Sequence, residues 1–425
     1  MPACHAGGRE FEPRPDRKSA SQQRPALFSF MRFRKSFSPL ILVCLSGVAL
    51  LWMVLYSILI QQQRSLREQE QRTEEARLAD SVVTLLFAGD VMGHEPQWEA
   101  AFDPVLGEYD YHDCFRFVKP FIEAADLACA NLEVTLAGPP YTSYPCFSSP
   151  DALLFALKDA GFDVLFTANN HVLDHGRQGL ERTLRMLDSV GMIHAGSYAD
   201  SLDCDTTNPL IINVKDLSVG FINVTYGTNG LREKSPNLVN RMDRNQVTSD
   251  FEKLDSLGAQ LKVAFVHWGN EYQLEANRYQ RHYAQFLVDQ GADLIIGSHP
   301  HVVQDADTLY QPNGKPVVTY YSLGNFVSNQ RRHNTNGGVM VQAKVNRFTG
   351  RVISTGYIPY YVFKGTIEGK YQFYIIPTLP YINNRYDFRL PLRDSLALVR
   401  VHQDMTERLS DFIPIFADVF EMEDK

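Results

Sequence analysis

Six short apolar runs in this chain each stop on a residue that binds metals or moves protons. They are VVTLLFAGD at Asp90, DLACANLE at Asn131 and Glu133, and FDVLFTANNH at Asn170 and His171. The others are LKVAFVHW at His267, ADLIIGSHPH at His299 and His301, and KPVVTYYSLGN at Asn325. Runs this short, rich in Val, Ile, Leu and Phe and bounded by Gly, Asn or Asp, read as buried strands. In α/β proteins the ligand crevice lies outside the carboxyl ends of such strands. Six polar tips in succession therefore describe the floor of a site.

The segments between the runs alternate with them as helices. SSPDALLFALKDAGFD offers a Ser cap, a first-turn Pro and a closing Gly161. GRQGLERTLRMLDSVGM places Leu180, Leu184, Leu187 and Val190 on one helical face. Asn240 to Leu257 and Glu275 to Gln290 read as helices flanking the LKVAFVHW strand. Alternation of this kind is α/β behaviour. After Gly337 the pattern becomes β-rich, with Thr349-Gly350 between two strand-like runs, and a closing helix is expected over Asp394 to Asp411.

One stretch falls outside this scheme. Leu40 to Ile60 contains no charge, and as a helix it would span about 31 Å, the thickness of a bilayer's hydrocarbon core. Arg32, Arg34 and Lys35 precede it, whereas acids offset the arginines that follow Gln61. The positive-inside rule then keeps the N-terminus cytoplasmic and the main domain outside. The polar end of the span lacks a small-x-small cleavage pattern, so an uncleaved signal anchor is expected. Gln61 to Ser81, without Gly or Pro, reads as a helical stalk. Residues 1–30 lack apolar periodicity and are expected to be disordered, with Met31 the natural start.

The chain carries a net charge of −8. Its first 38 residues contribute about +5, which leaves about −13 for the remainder. So acidic a domain speaks against nucleic acid as a partner. An anionic ligand would need metal ions or local bases such as Arg331 and Arg332. Four of the six cysteines follow the apolar span, and Cys114–Cys146 is the preferred bridge there. No GxSxG elbow, P-loop or GxGxxG is present.

Taken singly, each site residue has an ordinary explanation. Asp90 and Asn325 would serve as turn residues, Asn169 and Asn170 as a helix cap, and His267 as a core histidine. Together, carboxylate, amide oxygen and imidazole suit a divalent Mn, Mg or Zn ion rather than a thiolate-seeking one. His171 and Glu271 are candidate proton carriers, with Asp174 orienting His171.

The ordered set FAGDVMGH, ANLEVTL, ANNHVLDHG, HWGNEY, GSHPHV, SLGNFV resembles the CapA/PgsA-like capsule-biosynthesis family of poly-γ-glutamate proteins. That family's domain is related to calcineurin-like metallophosphoesterases. The resemblance implies an α/β fold, a four-layer αββα sandwich with metal ligands on loops at the strand ends. It matches Asp90, Glu133 (or Asn131), Asn170, His267, His299 and His301 to metal ligands, for one or two ions, and His171 to the histidine that acts as acid or orients phosphate. Met92 stands where the phosphoesterases carry a histidine, and only His94 is placed to compensate. The expected organisation is a cytoplasmic 1–39, an anchor over 40–60, a stalk over 61–81, a metallophosphatase-like domain over 82–336 and a β-rich extension with a terminal helix over 337–425. The partners implied are the lipid bilayer, an anionic polymer and subunits of a membrane synthase complex. The function is either metal-dependent hydrolysis or transfer at an amide or phosphoester, or non-catalytic binding and scaffolding.

Overall fold

The computed structural model describes residues 39–414; the expectations for residues 1–38, including the Met31 start, lie outside them. The chain divides into two units, one ending at Thr73 and one beginning at Glu74. Helix α1 (Pro39–Asp80) covers both the expected anchor and the expected stalk. Among the described residues one helical segment, Val43–Thr73, is long and apolar enough to cross a membrane.

From Glu74 onward, two mixed sheets pack face to face. The first contains β1 (Val82–Val91), β2 (Leu127–Leu132), β3 (Val164–Phe166) and β4 (Ile193–Ala195), all parallel. The second contains β5 (Leu210–Val214), β6 (Leu217–Thr225), β7 (Leu261–His267), β8 (Leu294–Ser298), β9 (Ala306–Tyr310) and β10 (Pro316–Tyr320). Its order is β9-β10-β8-β7-β6-β5, with β6, β7, β8 and β10 parallel. The short β11 (Asn325–Val327) then returns to the first sheet and pairs parallel with the end of β1.

The β-rich segment after Gly337 is not an appendage. Its strands β12 (Gly337–Asn346), β13 (Val352–Ile367) and β14 (Lys370–Pro377) extend the first sheet in the order β14-β13-β12-β1-β2-β3-β4. β12 runs antiparallel along β1 from Val82↔Asn346 to Phe87↔Val341. Without it the central strand would expose a row of unpaired backbone groups.

Apolar periodicity sorts the side chains into three cores. Val83, Leu85 and Phe87 of β1 meet Phe221, Phe265 and Ile296 between the two sheets. Leu86 and Ala88, on the opposite face, pack under α2 (Ala152–Asp159) and α3 (Gly176–Ser189), with Leu154, Leu180 and Leu184. On the far side Ile222 and Val224 pack under α4 (Arg244–Ser256) and α5 (Arg278–Asp289). Helix, sheet, sheet, helix is the expected αββα order. Strands covered on both faces explain why their sequences read as continuous apolar runs.

Three local expectations are corrected. α2 is capped by Asp151 without a side-chain bond to the helix, because both its oxygens accept from Arg182 at 2.7 Å. The closing helix α6 spans Leu392–Arg408 and starts right after Pro391. Cys114 and Cys146 form no bridge: both are free, Cys114 buried in the helix-side core and Cys146 exposed on a loop.

Candidate metal centre

The direction in which Asp90 faces is decided by a bulge. Strict alternation along β1 would turn residue 90 toward the helices, like Leu86 and Ala88. Between Phe87↔Cys129 and Asp90↔Asn131, however, β1 gains one residue on β2. The bulge swings Asp90 onto the face of Asn131, whose Nδ2 donates to Asp90 Oδ1 at 2.8 Å. Gly89 permits this, since a Cβ there would lie 1.9 Å from the Gly324 carbonyl oxygen.

The neighbouring strand ends fill in the rest. Glu133 follows β2 directly and is fully buried. Past β3, Asn169 Nδ2 donates to the Leu132 carbonyl at 2.7 Å, and its Oδ1 accepts the His171 amide at 3.0 Å. That tight turn presents Asn170 and His171. Asn170 Oδ1 lies 2.8 Å from Nε2 of His267, at the end of β7, and His267 Nδ1 lies 2.9 Å from Ser298 Oγ.

After β8 the chain enters left-handed backbone at His299 (φ 97°) and His301 (φ 58°). Such conformations cost a non-glycine residue about 1–2 kcal/mol. They set the His299 amide 3.3 Å and the His301 Nδ1 3.2 Å from Asp90 Oδ2, joining the carboxyl ends of the two sheets.

Two sets of ligand atoms result, Glu133 with His267 and His299, and Asp90 with Glu133 and His301, each set lying within 4.8 Å. Glu133 belongs to both. Among the described residues its Oε1 has no hydrogen-bond partner, nor has His299 Nδ1, although both are buried. Oε1 stands 3.6 Å from His267 Nε2 and 3.9 Å from His301 Nε2. Those gaps are too long for hydrogen bonds, and close to the roughly 3.4 Å that separates two ligands of one tetrahedral ion. Orphaned buried lone pairs facing one another are what a cation would satisfy. The donor set of carboxylates, imidazoles and an amide oxygen fits a divalent ion.

The electrostatics agree. Burial, then the Asp90 charge, pushes the Glu133 carboxyl well above the ordinary carboxylate range. Burial, then neighbouring imidazoles, drives His267 well below the usual histidine value and His299 down to about 3. His267 and His299 are thus neutral and ready to ligate, and a cation beside Glu133 would offset the burial of its charge.

His171 lies beside the cluster, its Nδ1 2.8 Å from Asp174 Oδ2, which also accepts the Phe147 amide at 2.7 Å. Its ring lines an open cleft of ≈360 Å³ shared with His301, Glu271, Tyr272 and Arg332. Glu271 is exposed on that wall and belongs to neither ligand set. Asn325 braces the site: its Nδ2 donates to the carbonyls of His301 (3.3 Å) and Thr335 (3.1 Å). Met92 is buried, and His94 lines the same cleft but belongs to neither ligand set. The His94 Nδ1 lies 3.1 Å from Gln97 Oε1 and accepts the Asn329 amide at 3.4 Å.

Sequence reasoning passed over Ser298 and Tyr226, whose ring centre lies 4.6 Å from that of His299. Tyr226 closes the run LSVGFINVTY, so the strand-end rule that found the others would have found it.

Residues 84–330 match the family model described as bacterial capsule synthesis protein PGA_cap. The chain belongs to this family. It is 28% identical over 273 residues to the capsule biosynthesis protein CapA of Bacillus anthracis, covering 61% of this chain and 63% of that protein. With the PGA biosynthesis protein CapA of Bacillus subtilis (strain 168) the identity is 29% over 288 residues, covering 64% and 70%. The chain thus spans less than two thirds of the B. anthracis relative. Among solved structures it aligns with a novel phosphatase from Mycoplasma pneumoniae (16% identity, 65% of this chain and 93% of that one, TM-score 0.38). It also aligns with a 5'-nucleotidase from Candida albicans (11% identity, 76% and 57%, TM-score 0.40). In this PGA_cap chain the family-matched region ends at residue 330, whereas the sheet that carries Asp90 continues through β12 to β14.

Proposed function

We propose that this capsule-family chain is a membrane-anchored protein whose main domain lies outside the cytoplasmic membrane. There it acts on an anionic polymer such as poly-γ-glutamate through a divalent-metal centre. The carrying observation is the pair of ligand sets that share Glu133, opening beside His171 onto the cleft. Asp90, Glu133, Asn170, His267, His299 and His301 would hold one or two ions. A divalent ion bound there acidifies a coordinated water and polarises a carbonyl or phosphoryl oxygen.

The protein's own groups supply the rest. Asp174 accepts from His171 Nδ1–H, which leaves Nε2 to exchange a proton with a leaving group in the cleft. The Phe147 ring, edge-on at 4.7 Å, confines the imidazole. Arg332, stacked over Tyr272 at 4.5 Å, brings positive charge to the cleft wall and attracts an anionic substrate. Glu271 on the same wall would relay protons to solvent.

A second reading, a polymer-gripping or scaffolding subunit of a synthase complex, is favoured by Met92, a buried thioether in the place of a histidine. Metal analysis of the full chain, then turnover of a chromogenic phosphoester and of a γ-glutamyl oligomer, separates the two. Bound metal with turnover lost in His171→Asn supports catalysis. Metal-free protein inert on both substrates overturns it, and a loaded protein that binds polymer without cleaving it supports the grip.

A further inference from the structure

A second hollow, ≈320 Å³, lies against the loop that closes the cleft. Arg331, Lys364 and Arg393 line it, with Tyr361 and Asp394. Consecutive residues divide between the two spaces, since Gln330 and Arg332 line the cleft and Arg331 the hollow. Lys364 Nζ donates to Asn329 Oδ1 at 2.6 Å, and Asn329 in turn bonds His94 on the cleft side. One short loop therefore serves as the wall between both.

The charge of the hollow stands out against an acidic domain. Lys119, Lys262 and Lys315 each hold a carboxylate, but among the described residues Arg331, Lys364 and Arg393 have no ion-pair partner. Arg331 Nη1 donates to the Val362 carbonyl at 2.8 Å, and its guanidinium lies 5.4 Å over the Phe373 ring. These contacts fix the group and leave further donors unused. The one acid present, Asp394, accepts from Tyr361 Oη at 2.8 Å. α6 starts at Leu392, so the positive end of a 17-residue helix also lies at the hollow. Three cations gathered around one carboxylate leave an excess of positive charge that a bound polyanion would offset.

We infer that this hollow is an anion-binding subsite that takes successive pendant carboxylates of the polymer whose backbone enters the cleft. The inference rests on the proposed polymer substrate and gives it a direction, from the metal centre across the 329–336 loop toward α6.

The test is fluorescence anisotropy of labelled poly-γ-glutamate with the full chain in detergent micelles, over a salt series. The triple variant R331Q/K364Q/R393Q should bind at least about tenfold more weakly, with a flatter salt dependence and unchanged metal content. K364Q/R393Q, which leaves the Arg331 contacts intact, should show a smaller loss in the same direction. Wild-type affinity in both variants overturns the subsite, as does tighter wild-type binding of polyphosphate than of poly-γ-glutamate. Failure of the metal-centre reading would show separately, as absent metal or absent turnover with anisotropy still responding to the triple variant.

Discussion

Replacing Glu133 by Gln should invert the stability order of the protein according to whether metal is present. Glu133 is fully buried beside Asp90, and without an ion its carboxyl is held well above the ordinary range. Keeping an ordinary glutamate protonated at pH 7 costs at most about 3 kcal/mol, because each pKa unit is worth about 1.4 kcal/mol. Glutamine has the same shape and no charge to desolvate. Metal-free E133Q should therefore be more stable than metal-free wild type by about 1–3 kcal/mol, or a few degrees in Tm. The sign fixes the pH window as well. A carboxyl with a raised folded pKa contributes fully below its unfolded pKa of 4.5 and loses that contribution as pH rises. The advantage of E133Q should be near zero at pH 4.5 and grow toward pH 7. With Mn at a hundredfold excess over Kd, each occupied site adds about 2.7 kcal/mol to wild type. Because both ligand sets use Glu133, the variant should lose both ions and gain nothing. Thermal melts of the EDTA-treated and Mn-loaded full chain, with metal counted by plasma mass spectrometry, read each term. Full metal content in E133Q, or a metal-free variant less stable than wild type, would refute the shared-ligand reasoning.

Gly89→Ala should cost about 3 kcal/mol and lower metal content, because the new Cβ meets the Gly324 carbonyl and pushes the bulge that aims Asp90; an unchanged melting curve contradicts this. Maleimide labelling of native protein, mapped by peptide mass spectrometry, should modify exposed Cys146 and spare Cys114 and Cys129 until denaturation. Burial raises the thiol pKa of both spared residues; a disulfide-linked peptide joining Cys114 and Cys146 would refute it. His94 is held at about 4, chiefly by burial, so its contribution is complete above pH 6.5 and fades as pH falls toward 4. His94→Gln should therefore remove about 1–3 kcal/mol of acid destabilisation between those values. Parallel urea midpoints for wild type and variant from pH 7 to pH 4.5 would argue against a buried neutral ring.

The apolar runs, their polar tips and the helices between them were legible because strand and helix periodicities are local. A run buried on both faces advertises itself in a handful of residues, and α3 showed its stripe in Leu180, Leu184 and Leu187. What lay beyond reach was long-range. Nothing near Gly337 says that the next strand will lie beside Val82, and the Cys114–Cys146 pairing failed because spacing carries no information about burial. His94 looked like a substitute ligand from its distance to Asp90 along the chain, yet its ring lines the cleft wall beside Gln97 and belongs to neither ligand set.

The residues alone determined which chemistry this PGA_cap chain carries, since carboxylates, amides and imidazoles at strand ends follow from composition and local pattern. Tertiary structure alone decided that the chemistry meets at one point. A one-residue bulge turns Asp90 away from the helices, and left-handed backbone at His299 and His301 folds the second sheet's loop onto it. The first depends on pairing with a strand 41 residues away and the second on contacts 209 and 211 residues apart, whose energies no local window contains.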